Sequence, residues 1–224
     1  MSRFFAAVLF FSLVAAPAPA QTAVPAGQGD PFKDTSMFKP PAGAKVAIIE
    51  WEDLECPACA HAFPIVHEAA KHYNIPLIRR DFQIPGHIWS HEASIYARYL
   101  QDKVSPAMGE EYRREVFASQ YLIASKDDLH NFTVKFFQTN HQAMPFVVDP
   151  TGQFAKEVGA DSALGEKMGL RQTPTIIVAT NKSWVQVKDV MQLYSVIDAA
   201  LAQTAAAPAK APVKKAATVA HKKS

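Results

Sequence analysis

The chain has 224 residues, 49% hydrophobic and 20% charged, a balance that supports a substantial buried core and excludes a wholly polar, unfolded chain. Its formal charge of +2 is misleading. Of 23 basic residues, Arg3 lies in the leader and five lysines (Lys210, Lys214, Lys215, Lys222, Lys223) lie in the tail, so the body carries 17 bases against 21 acids and no nucleic acid partner is expected.

Residues 1–20 read as a secretory signal peptide. Arg3 precedes an apolar run from Phe4 to Val14, and "APAPA" then offers a small-residue cleavage site after Ala20. The run is about 11 residues, well short of the roughly 20 that a spanning helix needs. The expectation is a periplasmic or otherwise exported protein, soluble after cleavage. No cysteine lies in the cleavage region, so a lipid anchor is not expected. Residues 21–44 are rich in Pro, Gly and small polar groups and read as an irregular lead-in. This segment is too short for a separate dimerisation domain, and a monomer is expected.

Regular structure begins with "KVAIIEW", a run of β-branched and apolar residues that predicts a buried strand. "ACAHAFPIVHEAAKHY" follows as a helix, and "IPLIRRDFQI" as a strand whose entry is set by Asn74 and Pro76. These make residues 45–85 one half of an α/β unit. Across 86–170 the strongest strand candidate is the short "MPFVV", while helical spacing recurs. Ile88, Ile95 and Leu100 with Tyr96 and Tyr99, then Tyr112, Val116, Phe117 and Tyr121, then Leu129, Phe132, Phe136 and Phe137 read as core positions of successive helices. Ser125 predicts a helix cap with acids in the first turn, and Asp161 a second cap before "SALGEKMGL". Residues 171–203 return to strands in "TPTIIVAT" and "SWVQVK", with Asn181 in the turn, and close with a helix from Val190 to Gln203. The order predicts a single α/β core whose halves are separated by an inserted helical subdomain. Residues 204–224, rich in Ala, Pro and Lys, are expected to be a disordered basic tail, solvated or adhering weakly to an anionic surface.

Cys56 and Cys59 are the only cysteines. A crosslink over so short a loop restricts the unfolded chain very little, so a reactive dithiol explains the pair better than a structural bridge. An inert local disulfide and a thiol pair for a metal remain alternatives. With Cys56 as the helix cap, Pro57 falls at the first helical position, where its missing N–H is no loss. Unpaired backbone N–H groups and the helix dipole then favour a thiolate at Cys56, the expected nucleophile. Cys59, one turn inside, is expected to be shielded and to resolve a mixed disulfide formed at Cys56. Zinc would call for a second pair and haem attachment for a histidine at position 60, which is Ala60. His87 and His91 are four apart and would share a helix face, but two ligands are not a site. No metal and no other cofactor is expected.

"CPAC" at a strand-to-helix junction resembles the active site of the thioredoxin superfamily, and the helical insertion resembles its DsbA-like branch of thiol-disulfide oxidoreductases, over roughly Lys45 to Gln203. The resemblance implies an α/β thioredoxin fold with an inserted helical subdomain. It assigns Glu50, six residues before Cys56, to a buried acid on the central strand, and Pro64 to a kinking proline in the active-site helix. It also assigns Pro174 in "QTPT" to a cis-proline beside the cysteines; "PGHIWSHEA" and "GLRQTPTIIV" read like DsbA-type segments as well. A buried acid is expected to have a raised pKa and to shuttle the proton of Cys59. Thr173 is expected to present its backbone to an extended substrate. The motif positions Pro57 and Ala58 depart from the oxidase pattern in one respect: a histidine usually stands where this chain has Ala58. Glu52, Asp53 and Glu55 are expected to raise the Cys56 pKa further, giving a weaker oxidant.

The implied function is an exported protein thiol-disulfide oxidoreductase donating a disulfide to reduced or unfolded polypeptides and reoxidised by a membrane quinone reductase of DsbB type. Reductase or isomerase activity is the nearest rival, although the short N-terminal segment argues against an isomerase that needs a dimerisation domain. A metal or haem carrier, or a chaperone-like groove with an inert disulfide, are the noncatalytic alternatives.

Overall fold

The computed structural model describes residues 32–205. The signal peptide, the first part of the lead-in and nearly all of the basic tail lie outside them. Four strands form one sheet in the order β2-β1-β3-β4: β1 (Val46–Glu52), β2 (Leu77–Asp81), β3 (Thr175–Thr180) and β4 (Trp184–Val187). β1 runs parallel to β2 and antiparallel to β3, and β3 runs antiparallel to β4. Helix α1 (Pro57–Tyr73) supplies the crossover between the two parallel strands. Helices α2 (Ser90–Lys103), α3 (Pro106–Ser119), α4 (Lys126–Thr139) and α5 (Gln153–Met168) all fall between β2 and β3. Helix α6 (Leu193–Ala205) follows β4. The architecture is the expected α/β thioredoxin fold with an inserted helical subdomain.

The central strand has no exposed side: all seven residues of β1 are buried. Helix α1 presents Cys59, Ala62, Phe63, Val66 and Ala69 inward, a helical stripe beginning at the second cysteine. It ends at Asn74, whose left-handed conformation (φ 49°, ψ 47°) lets its N–H reach the carbonyls of Ala70 and Lys71. On one face of the sheet Val46 and Ile48 pack with Ala62, Val66, Val196 and Ile197. On the other, Ile49 and Trp51 pack with Phe38, Phe82, Met168 and Trp184. A third apolar cluster runs from Leu54, Cys56, Cys59 and Phe63 into the insertion, through Trp89, Leu100, Tyr112, Val116, Leu129 and Phe137. The cysteines therefore sit at the seam between the two parts of the fold.

Within the insertion α2 and α3 approach closely at Gly109, where an added Cβ would lie 2.7 Å from the Gln101 Cβ and 3.0 Å from the Ala97 carbonyl oxygen. Ser125 caps α4 as expected: its hydroxyl accepts the Asp128 N–H at 3.1 Å. Asp161 is not a cap. α5 begins eight residues earlier, after Gly152 (φ 68°), and its first turn is served by Asp149, which accepts the Ala155 N–H at 2.8 Å. Asp161 instead lies buried inside α5 and pairs with Arg80 and Arg98 at 2.7 and 2.6 Å. An acid ahead of small residues resembles a cap in sequence, but here its lone pairs are met from other elements. Ile88 and Tyr121 also depart from the core expectation, at 55% and 83% exposure. Ile88 precedes α2 and Tyr121 lies in the 3-10 turn Gln120–Leu122 beyond the end of α3, so neither shares the helical stripe it was grouped with. "MPFVV" forms no strand, and Phe146 and Val147 in it are exposed.

Candidate active site

Cys56 is the N-cap of α1, in extended conformation (φ −82°, ψ 119°), and Pro57 opens the helix. The first turn is closed by Cys59 N–H and Ala60 N–H donating to the Cys56 carbonyl at 3.0 and 3.1 Å. Pro57 and Ala58 are exposed between the two sulfurs, both of which are free thiols. Cys56 keeps 9% of its surface and Cys59 only 1%. The outer sulfur can thus meet a partner, and the inner one is shielded.

The two thiols are poised oppositely. Cys56 is lowered to about 5, first because the Cys59 thiol donates to its sulfur, then through Thr173 and the N–H groups of Cys59 and Ala58, with burial opposing. Cys59 is pushed up, mainly by burial and by its role as that donor. Its sulfur accepts the Asp53 N–H at 3.4 Å. In the thiol state Cys56 donates to the Thr173 carbonyl at 3.4 Å, which brings the two sequence-predicted segments, 117 residues apart, into contact. The Thr173–Pro174 peptide is cis. Pro64 lies inside α1, as the resemblance implied.

The three acids before Cys56 are not among the main causes that set its pKa, which is lowered rather than raised, against the expectation. Each carboxylate is engaged by its own donors. Glu55 Oε2 accepts the N–H groups of Trp89 and Ser90 at 2.8 and 3.1 Å, at the start of α2. Asp53 accepts from Glu55 N–H (2.8 Å), Ile84 N–H (2.7 Å) and His87 Nδ1 (2.7 Å). Glu52 Oε1 meets Arg79 Nε at 3.1 Å and Arg113 Nη1 at 2.8 Å. Counting charges in the sequence misses this compensation. His87 and His91 do not share a helix face either, because His87 lies in the turn before α2, bound to Asp53, and His91 lies in the first turn of α2.

Glu50 is fully buried on β1, and neither of its carboxyl oxygens has a hydrogen-bond partner. Its pKa is raised to about 8 by burial and by the charge of Glu52, against the pull of Arg79 and Arg113. Sequence reasoning missed Gln120, whose side-chain amide donates to the carbonyls of Leu54 and Cys56 at 2.7 and 3.1 Å and so ties the insertion to the cysteine loop. It also missed the buried arginines. Arg113 Nη1 bridges Glu52 and Asp81 at 2.8 Å each, and Arg98 joins Asp81 to Asp161. This network links β1 and β2 to α2, α3 and α5.

Among solved structures, BdbD from Bacillus subtilis, in oxidised form, is 19% identical with a TM-score of 0.56, covering 81% of this chain and 97% of its own. ScsC of Proteus mirabilis, in a transitional conformation, is 18% identical with a TM-score of 0.55, covering 73% and 71%. The thiol-disulfide exchange protein alpha-DsbA2 from Wolbachia pipientis is 13% identical with a TM-score of 0.57, covering 71% and 84%. At these identities the likeness is one of fold. No curated protein matches the chain. Among the described residues no helix is long and apolar enough to cross a membrane. The Thioredoxin family model matches residues 34–199, most of the chain and all of the cysteine site, and the protein belongs to that family.

Proposed function

We propose that the protein is an exported thiol-disulfide oxidoreductase of DsbA-like type that uses Cys56 as its exchanging sulfur and Cys59 as the resolving one. The observation that carries this reading is the opposite poise of the two thiols at the start of one helix, one held toward thiolate and the other buried as its donor. In the oxidase direction a substrate thiolate attacks Cys56 Sγ of the Cys56–Cys59 disulfide. The S–S bond breaks, Cys59 leaves as a thiolate and takes a proton, and a mixed disulfide joins Cys56 to the substrate. A second substrate thiolate then attacks the substrate sulfur of that mixed disulfide. Cys56 leaves as a stabilised thiolate, the substrate gains a disulfide, and the protein holds two electrons as a dithiol.

Glu50 is the proposed source of the proton for Cys59, since a buried acid near neutrality can give up and regain one within the cycle. The Thr173 carbonyl, 3.4 Å from Cys56, is the proposed backbone anchor for an extended polypeptide, with Pro174 beside it. Reoxidation requires a two-electron acceptor, for which a membrane quinone reductase of DsbB type fits an exported monomer. The stabilised Cys56 thiolate favours the dithiol state and hence oxidase traffic. Ala58, in place of a histidine, removes one further donor and makes this a milder oxidant.

Redox equilibration of the full chain against glutathione tests the direction. An oxidase gives a potential well above that of thioredoxin, which lies at about −270 mV; a value at or below it would assign the same sulfurs to reduction.

A further inference from the structure

Glu50 and Glu52 stand two residues apart on β1 and so point to the same face of the sheet. Both are fully buried, yet their surroundings differ. Glu52 Oε1 lies 3.1 Å from Arg79 Nε and accepts from Arg113 Nη1 at 2.8 Å, while its Oε2 has no partner. Glu50 holds nothing. The contrast runs against the strand register, because Arg79 is the residue directly opposite Glu50 in the β1–β2 pair. Its guanidinium nevertheless turns diagonally to Glu52, and its outer nitrogens reach Glu110 and His67 at the wall of a solvent-open cleft.

A buried carboxylate with no hydrogen bond is far costlier than a buried carboxylic acid. Two carboxyls facing the same guanidiniums therefore divide the roles, one ionised on the cations and the other protonated. The geometry points to Glu52 as the positioning residue that keeps a proton on Glu50: it occupies Arg79 and Arg113, and its own charge opposes a second carboxylate beside it. The inference rests on the exchange reading for its use, since the proton so held is the one Cys59 takes when the disulfide opens.

The charged and titratable groups acting on Glu50 come from three elements: Glu52 on β1, Arg79 on β2, and Arg113 and Glu110 on α3. Arg113 is shared with Asp81, yet its charge still pulls against the proton on Glu50. His67 on α1, which meets the outer end of Arg79, is held neutral by burial and by that guanidinium. The Glu52 charge acts in the same sense on Cys59, disfavouring its thiolate. Burial raises the Glu52 pKa as well, and Arg79 and Arg113 pull against it; ionised on those cations, Glu52 opposes the loss of both protons behind Cys56.

The test follows the side-chain carboxyls of the reduced full chain by carbon NMR across pH, with Glu50→Gln identifying the Glu50 signal. In the wild type that carboxyl is still protonated at about pH 6, far above the ordinary glutamate range. Glu52→Gln moves its midpoint below about pH 7 as Glu50 takes over the arginines, and Arg113→Met moves it upward. The opposite signs separate a charge effect from mere loss of packing. A Glu50 already ionised at about pH 6 in the wild type overturns the inference whether or not the Glu52 and Arg113 variants fold. So does a midpoint that Glu52→Gln leaves unmoved. Exchange with a dithiol peptide is read on the same samples. A reactive Cys56 with an unmoved carboxyl overturns this inference alone, whereas a correctly shifting carboxyl beside an inert Cys56 overturns the exchange reading and leaves the placement of the proton standing.

Discussion

The two faces of β1 begin alike and end differently. Ile49 and Trp51 carry one face to the end of the strand as apolar surface against Phe38, Phe82 and Trp184. The other face starts with Val46 and Ile48 on α1 and α6 and then turns to Glu50 and Glu52 just before the cysteines. The first face stabilises through burial alone and is indifferent to pH and redox state. The second gives up apolar area at its last two inward positions for groups whose value depends on protonation. A single strand thus separates an apolar face from one that ends in buried carboxyls, by alternation of its side chains.

The sharpest break is chemical. Cys56→Ser is expected to abolish turnover of a dithiol peptide while leaving the apolar face and the fold intact; retained turnover would assign the activity elsewhere. Next comes Arg113→Met, which removes the cation between Glu52 and Asp81 and should cost about 3–5 kcal/mol in urea unfolding, because two buried carboxylates lose a partner. Trp51→Ala on the opposite face should cost about 3–5 kcal/mol through the cavity it opens. The comparison is sharpened by pH: the Trp51→Ala loss should be the same in acid and in mild alkali, and the Arg113→Met loss should shrink as the carboxylates protonate.

The Cys56 thiolate gives an effect with a direction in pH. Its pKa in the folded, reduced protein is about 5, below an ordinary thiol at roughly 8.5. Its contribution to the stability of the reduced form is therefore complete above about pH 8.5, declines as pH falls, and is gone below about pH 5. Denaturant titrations of reduced wild type and Cys56→Ser should converge over that window, and alkylation of Cys56 should hold its rate down to about pH 5. Convergence near pH 8 instead would mean an ordinary thiol. Least of all, Ile48→Val at the apolar start of the charged face should cost about 0.5–1.5 kcal/mol with no pH dependence, behaving like the opposite face.

What the sequence made legible was local. "KVAIIEW" reads as a buried strand, and Pro57 fixes the start of α1 and hence the cap position of Cys56, because both signals are written within a few residues. The helical insertion showed itself through the spacing of Leu100, Tyr112, Val116, Leu129 and Phe137, all buried. The electrostatics did not. Glu52 is answered by Arg113, 61 residues away, and Asp161 by Arg80, 81 away, and no periodicity announces such pairs. The acids next to Cys56 were therefore visible as charges and invisible as satisfied charges. Gln120 escaped for a similar reason, since an amide beyond a helix end carries no signal that it will hold two distant carbonyls.

The close approach at Gly109 has a consequence well away from its own helix pair. Arg113 lies one helical turn further along α3, on the same side, so a side chain that wedges α3 off α2 also draws the guanidinium away from Glu52. A methyl group placed there would surface in the laboratory as a sulfur with altered acidity as well as a packing fault. Compensating second-site changes should then cluster around the buried charges, far from the crowded spot that provoked them.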